Sequence, residues 1–190
     1  MKINKTEVFG FGAAMRGMRN PMNSWNKSDS AMDYINRVFY IGKNDMELAH
    51  KLIANGAEHS KFLRFITVYM DIEAPLYFWK EADTYKFMEK NSCSTMHKIL
   101  SRPLTKSDFE HESWSTEREN YLAYLNNLIE EKQFRKVIQD LPSSYLQKRT
   151  IVTNYAELRN IRKQRCHHKL IEWHEVCQWI DKLEYSELLK

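Results

Sequence analysis

Between Arg165 and Cys177 the chain reads RCHHKLIEWHEVC, two cysteines and three histidines within thirteen residues. Thiolates and imidazoles are the usual ligands of zinc, so the first chemistry to test is a metal site. The surrounding pattern predicts one long helix from about residue 154 to 180, roughly 40 Å at 1.5 Å per residue. On such a helix each residue turns about 100°, so with Cys166 at zero, Cys177 falls near 20°, Leu170 near 40°, Trp173 near 340° and Ile180 near 320°. The cysteines therefore sit within the apolar stripe, about three turns and roughly 16 Å apart along the axis, too far to share one tetrahedral ion. Cysteine is among the most buried residue types, and both are expected to be small core residues.

The opposite face carries the polar chemistry. Asn154, Glu157, Arg165, His168 and Glu172 fall between about 180° and 260° on the same wheel. Such a stripe is either a solvated surface laced with i,i+3 and i,i+4 pairs or the lining of an anion or cofactor site.

The elements that would position these residues are expected as follows. KINKTEVFGF alternates weakly and reads as a strand, and AAMRGMRNP as a short helix stopped at Asn20-Pro21, because a residue before proline avoids the helical region. Residues 20–30 read as loop, and a helix is expected over about 31–39. NDMELAHKLIANG (44–56) reads as a helix capped by Asn44 or Asp45 and ended by Gly56, with Leu48, Leu52 and Ile53 on one side. FLRFITVYMDI (62–72) is the best strand, broken by Pro75. Residues 76–90 read as helix or the edge of a turn, 91–100 as a polar loop entering a short helix, and SRPLTKSDFEHES as a linker. Tyr121, Leu122, Leu125, Leu128, Ile129, Phe134, Val137 and Ile138 mark an amphipathic helix from about 115 to 139, and DLPSSYLQKR breaks it. The expected class is α+β, predominantly helical with a small antiparallel or mixed sheet, as a single domain over 1–190.

Composition narrows the partners. The chain has 190 residues, is 43% hydrophobic and 13% aromatic, and carries a formal net charge of +4. Its basic runs are no longer than two residues, which argues against a dedicated nucleic-acid binder. A modest positive balance focused in one cleft suits an anionic small molecule. The first residues lack the apolar run of a signal peptide, and no window approaches the roughly 18 apolar residues of a membrane span. Three widely placed cysteines fit a reducing compartment, so a cytoplasmic location is expected. FGFGAAMRG lacks the last glycine of a dinucleotide fingerprint, and the chain has no Gly-Lys-Ser/Thr phosphate loop.

Order and spacing at the C-terminal end carry a family resemblance. Leu141-Pro142 is followed twelve residues on by Asn154, then by ELRN (157–160), and Arg165 lies eleven residues after Asn154. This resembles the end of the flavin-dependent thymidylate synthases, the ThyX family. LAHKLIANGAEHSKFLRFITVYMDI also resembles that family's helix, Gly-His/Glu-His segment and Phe/Ile-rich strand. The resemblance implies a ThyX-like fold, a homotetramer with sites between subunits, and FAD and dUMP as ligands. It implies Asn154, Asn160 and Arg165 as flavin- and substrate-binding residues; the polar stripe adds His168 as a cofactor-binding candidate, and the 80–98 segment offers Lys80, Lys86, Ser92, Ser94 and His97 beside Arg165 as substrate-binding candidates.

The chain departs from the family where phosphate should be held. The signature Arg-His-Arg-x-x-Ser-x-Asn-x-x-Ser-x-Arg is missing, and the corresponding region reads FWKEADTYKFMEKNSCSTMHK (78–98). Lys80 keeps one charge while Glu81 and Asp83 add carboxylates, and Ile138 stands where the family has an arginine three residues before Leu-Pro. Phosphates are usually held by forked guanidinium groups, so these changes weaken the attraction and add repulsion. NSCSTMHK remains a Ser-rich loop able to cradle a phosphate.

Three functions follow as expectations. One is a ThyX-like scaffold that binds a nucleotide or nucleotide cofactor without making dTMP, suited to a viral (phage) protein that sequesters or senses nucleotides. Another is an active FAD-dependent thymidylate synthase of altered motif. The third is an interaction protein using the aromatic segment YFWKEADTYKF, with Trp79 and Tyr85 exposed as contact residues.

Overall fold

The computed structural model describes residues 1–190. In chain order the elements are β1 (Lys2–Phe9), α1 (Phe11–Arg19), β2 (Ala31–Asp33), β3 (Val38–Tyr40), α2 (Lys43–Ala54), β4 (Thr67–Pro75) and α3 (Leu76–Ala82). They continue with β5 (Glu89–Ser92), α4 (Thr95–Lys98), α5 (Thr116–Glu130), α6 (Phe134–Asp140), β6 (Leu146–Asn154), α7 (Tyr155–Arg165) and α8 (Ile171–Ile180). Four strands form a sheet in the order β1-β4-β6-β5, and β2 and β3 form a separate antiparallel hairpin. The fold is α+β, mostly helical with a small sheet, as the sequence predicts.

The chain divides into two compact units: residues 1–4, 71–86 and 90–151, and residues 5–70, 87–89 and 152–190. The first unit has a core of Ile99, Leu104, Phe109, Leu125, Leu128, Ile129 and Val137. Its helix α5 starts at Ser115, whose hydroxyl accepts the Arg118 N–H. The predicted single helix over 115–139 is two helices, because Lys132 adopts a positive φ of 54° and ends the ladder between α5 and α6. Trp79, expected at the surface, is 1% exposed, and Tyr85 is also buried. The Trp79 indole donates to the carbonyls of Ala74 and Gln147, each at 3.0 Å. A buried indole needs such partners, so this ring belongs to the interior and the expectation of a Trp79/Tyr85 contact surface is corrected.

The second unit packs α1, α2, α7 and α8 around Phe11, Met15, Leu63, Ile66, Tyr155, Ile161 and Trp173. Gly10 opens α1 at φ 100°, and a Cβ there would stand 2.0 Å from the Phe65 carbonyl oxygen, so only glycine fits. Helix α2 is capped from a distance: Asp29 accepts the Asn44 and Asp45 N–H groups, in place of the local cap expected from Asn44 or Asp45. Asp45 is instead buried, paired with Arg19 at 2.5 Å and accepting hydroxyls from Ser28 and Ser30. Ala49 and Ile53 face inward on α2, while Leu48 and Leu52 are only partly buried.

Two further expectations fail here for physical reasons. Residues 31–39 form a hairpin and not a helix. Asp33 accepts the N–H groups of Ile35 and Asn36, an Asx turn that competes with helical hydrogen bonding. The long helix over 154–180 is a strand end followed by two helices. Asn154 ends β6 and caps α7, and the chain turns between Arg165 and Ile171. At that turn His168 Nδ1 accepts the Leu170 N–H at 3.2 Å, and the His168 carbonyl lies 2.6 Å from His174 Nε2.

Candidate functional site

Strand β6 ends at Asn154, within the second unit. The Asn154 backbone is extended, and its Oδ1 accepts the Glu157 N–H at 3.0 Å, so the side chain caps α7. The Tyr155 N–H donates to the Ile66 carbonyl at 3.0 Å, which fixes the start of α7 against the segment preceding β4. Tyr155 itself is fully buried, edge-on to Phe11 at 5.6 Å, with its hydroxyl donating to the Glu184 carbonyl. The first turn of α7 is therefore held rigidly.

That turn forms one wall of a cleft of about 530 Å³ in the second unit. The α7 wall supplies Asn154, Ala156, Glu157, Arg159, Asn160 and Lys163; the end of α2 and the following turn supply Ile53, Gly56, Ser60, Leu63 and Arg64. Phe87 completes it, largely exposed, and its carbonyl accepts the Thr153 hydroxyl at 2.9 Å. Three cations, Arg64, Arg159 and Lys163, line the cleft with one carboxylate, Glu157. Arg159 Nε donates to the Lys190 carbonyl at 3.0 Å, and Asn160 Oδ1 accepts from Gln164 at 2.9 Å. The apolar floor, two amides and a cationic majority are the ingredients of an anion-recognising ligand site.

The structure distributes the residues predicted from sequence as follows. Asn154 and Asn160 line this cleft together, whereas Arg165 and His168 do not. Arg165 ends α7 and His168 lies in the turn after it; the Arg165 guanidinium lies 4.8 Å over the Trp173 ring and His168 meets the same ring edge-on at 6.4 Å. Glu157 and Glu172, assigned to an open polar stripe, are buried. Lys80, Lys86, Ser92, Ser94 and His97 are exposed and belong to the first unit. Ser94 caps the short helix α4, accepting the His97 N–H at 3.2 Å, and its hydroxyl lies 2.7 Å from His97 Nδ1.

Two features of the first unit were missed by the sequence. Arg149 of β6 lies 4.3 Å over the Trp79 ring and pairs with Asp83 at 2.8 Å, while Lys90 approaches the same carboxylate at 3.5 Å. The negative charge expected from Asp83 is thus met by two cations. No local pattern announces this, since Arg149 and Asp83 are 66 residues apart. Arg64 and Lys163 of the cleft were likewise invisible, their only signal being the excess of basic residues. As for metals, the structure has no cluster of three or more His, Cys, Asp or Glu side chains able to hold an ion. Cys177 is buried and its thiol is pushed up to about 11 by burial, with the neighbouring Cys166 adding to the shift.

No protein-family model matches this sequence, and no curated protein sequence does. Solved structures do match. A ThyX from Helicobacter pylori complexed with FAD and dUMP superposes with a TM-score of 0.79 at 17% identity, covering 100% of this chain and 98% of that one. A second structure of ThyX from Helicobacter pylori with FAD and dUMP gives 0.76 at 18% identity, covering 100% of both chains. A UMP/dUMP methylase, PolB, from Streptomyces cacaoi bound with 5-Br dUMP gives 0.64 at 12% identity, covering 95% of this chain and 88% of that one. The chain has the fold of the flavin-dependent thymidylate synthases.

Proposed function

We propose that this protein binds a nucleotide or nucleotide cofactor on its ThyX-like scaffold, with the cleft at the start of α7 as the cofactor end of the site. The observation that carries this reading is the placement of Asn154 and Asn160 in one cleft with Arg64, Arg159 and Lys163. The cations suit phosphate groups, the amides suit the edges of a heterocycle, and the exposed Phe87 ring suits stacking. These donors fit FAD, and the ThyX structures that share the fold hold FAD and dUMP. When bound, a flavin supplies hydride chemistry; the chain's own contribution is binding, orientation and charge.

The missing Arg-His-Arg signature argues for a degenerate phosphate site and for binding without conversion of dUMP to dTMP. A nucleotide-sequestering or nucleotide-sensing role follows from that reading and suits a viral protein. The fold's resemblance further suggests a homo-oligomer, with a tetramer favoured.

Native mass spectrometry with FAD and dUMP tests the proposal. The expected result is a retained FAD or dUMP adduct, a multiple of the chain mass, and loss of the FAD adduct in Lys163→Glu. Absence of both adducts, together with no flavin absorbance after reconstitution, refutes it. Turnover of dUMP to dTMP by the FAD-loaded protein would instead establish the catalytic alternative.

A further inference from the structure

The first unit contains a second concavity, unlike the cationic cleft in chemistry. It has a volume of about 330 Å³ and lies against the first turns of α5. Its walls are the rings of Phe109, His111 and Trp114 and the side chains of Leu122 and Leu125, with Arg118 at the same end. The aromatic walls brace one another: Trp114 stands edge-on to His111 at 5.1 Å and to Phe109 at 6.1 Å, and Phe109 is edge-on to Tyr145 at 5.8 Å. Leu125 is fully buried and fixes the floor. Phe109 and His111 are nearly parallel, 9° apart at 6.1 Å, and Trp114 stands across both, which leaves a slot for a flat ring system; a volume near the lower end of small-molecule pockets limits its size.

The polar end selects among flat ligands. Arg118 lies at the slot with no carboxylate partner; its guanidinium donates only to the Ser113 carbonyl. Glu117, the one acid of the lining, is held below the usual carboxylate range by hydrogen bonds from Ser115 and its own backbone N–H, so it stays ionised; it is fully exposed, and solvent and salt screen its charge. His111 is held below the usual imidazole range by burial and by the charge of Arg118. Lys106 also stands 5.5 Å over the Trp114 ring, but its ammonium is paired with Glu119, which leaves Arg118 as the cation of the lining without a carboxylate partner.

We propose that this pocket is a binding site for a small planar aromatic acid, its ring held between Trp114, Phe109 and Leu122 and its carboxylate paired with Arg118. This pocket shares no lining residue with the cationic cleft.

Calorimetric titration of the full chain with 1-naphthoate, and with 1-naphthylmethanol as its uncharged counterpart, tests this. Naphthoate is expected to bind saturably at one site and several-fold more tightly than the alcohol. Leu122→Trp, which fills the slot, should abolish binding of both probes. Arg118→Met, a change at the open end that leaves the core intact, should reduce naphthoate to the affinity of the alcohol. Saturating dUMP should leave all three results unchanged. Failure of naphthoate to saturate, equal affinity for the two probes in the native chain, or an Arg118→Met variant that keeps the preference would each overturn the proposal. Should Leu122→Trp lose its cooperative melt, the Arg118→Met comparison decides alone.

Discussion

Asn154 holds two positions at once, as the cap of α7 and as a wall of the cationic cleft, and two substitutions separate the roles. Asn154→Ala removes the Oδ1 that accepts the Glu157 N–H at 3.0 Å, taking that acceptor from the N–H of a buried residue. Loss of an N-cap of this kind costs about 1 kcal/mol, within a range of roughly 0.5–2. For a chain of 190 residues that corresponds to a fall in Tm of about 2–4 °C. Asn154→Asp keeps an equivalent acceptor and adds a charge that the helix N-terminus favours, so its stability should stay within about 0.5 kcal/mol of the native chain. Its carboxylate, however, would line the cleft of Arg64, Arg159 and Lys163 that we propose takes an anionic ligand. Were a phosphate charge to bind within about 8 Å of it, at an effective dielectric near 20 the repulsion would be about 2 kcal/mol or more, roughly thirtyfold in Kd. Scanning calorimetry and nucleotide titration of both variants give the answer. The reasoning is refuted if Asn154→Ala melts with the native chain, or if Asn154→Asp binds FAD as tightly as the native chain does.

Asp45→Asn should cost about 3–5 kcal/mol, because it leaves the buried Arg19 guanidinium without its counter-charge. Burial raises the Asp45 carboxyl, but hydrogen bonds from Ser28, Ser30 and Arg19 more than offset that and hold it below its ordinary value. Its contribution is therefore present above about pH 4 and lost as pH falls below that, and a urea series from neutral to acid pH should show this loss in the native chain and not in Asp45→Asn. Gly10→Ala forces a Cβ onto the Phe65 carbonyl at a positive φ, and chemical denaturation should show a loss of about 2 kcal/mol or more.

Much of the molecule follows from local pattern. Alternation gives β1, punctuation at Asn20-Pro21 gives the end of α1, and the 3.6-residue period gives α2 and α5. Asn154 and Asn160 share a cleft although six residues on a helix point about 120° apart, because Asn154 stands outside α7 as its extended cap; the family resemblance paired them where helical spacing does not. The helical-distance argument that separated Cys166 from Cys177 fails with the long helix, since the two lie on either side of the turn after α7; of the two expected core cysteines only Cys177 is buried and Cys166 is half-buried.

Tertiary structure decides the rest where hydrogen-bond partners are distant in sequence. LQKRTIVTN becomes β6 because it lies between β4 and β5, whose backbone groups complete its ladder; alone it reads as a break before a helix. The turn at 166–170 contains neither glycine nor proline, so no local signal ends α7 there. It is set by the packing of Arg165 and His168 on Trp173 and by the burial of Val176, Cys177 and Ile180 on α8. Trp79 carries the same lesson: its sequence context suggests a sticky surface, and only the carbonyls of Ala74 and Gln147, together with Arg149 over its ring, make the interior its lowest-energy place. Sequence determined which side chains could recognise an anion, and the long-range pairing of β6 and the turn after α7 decided which of them share a cleft.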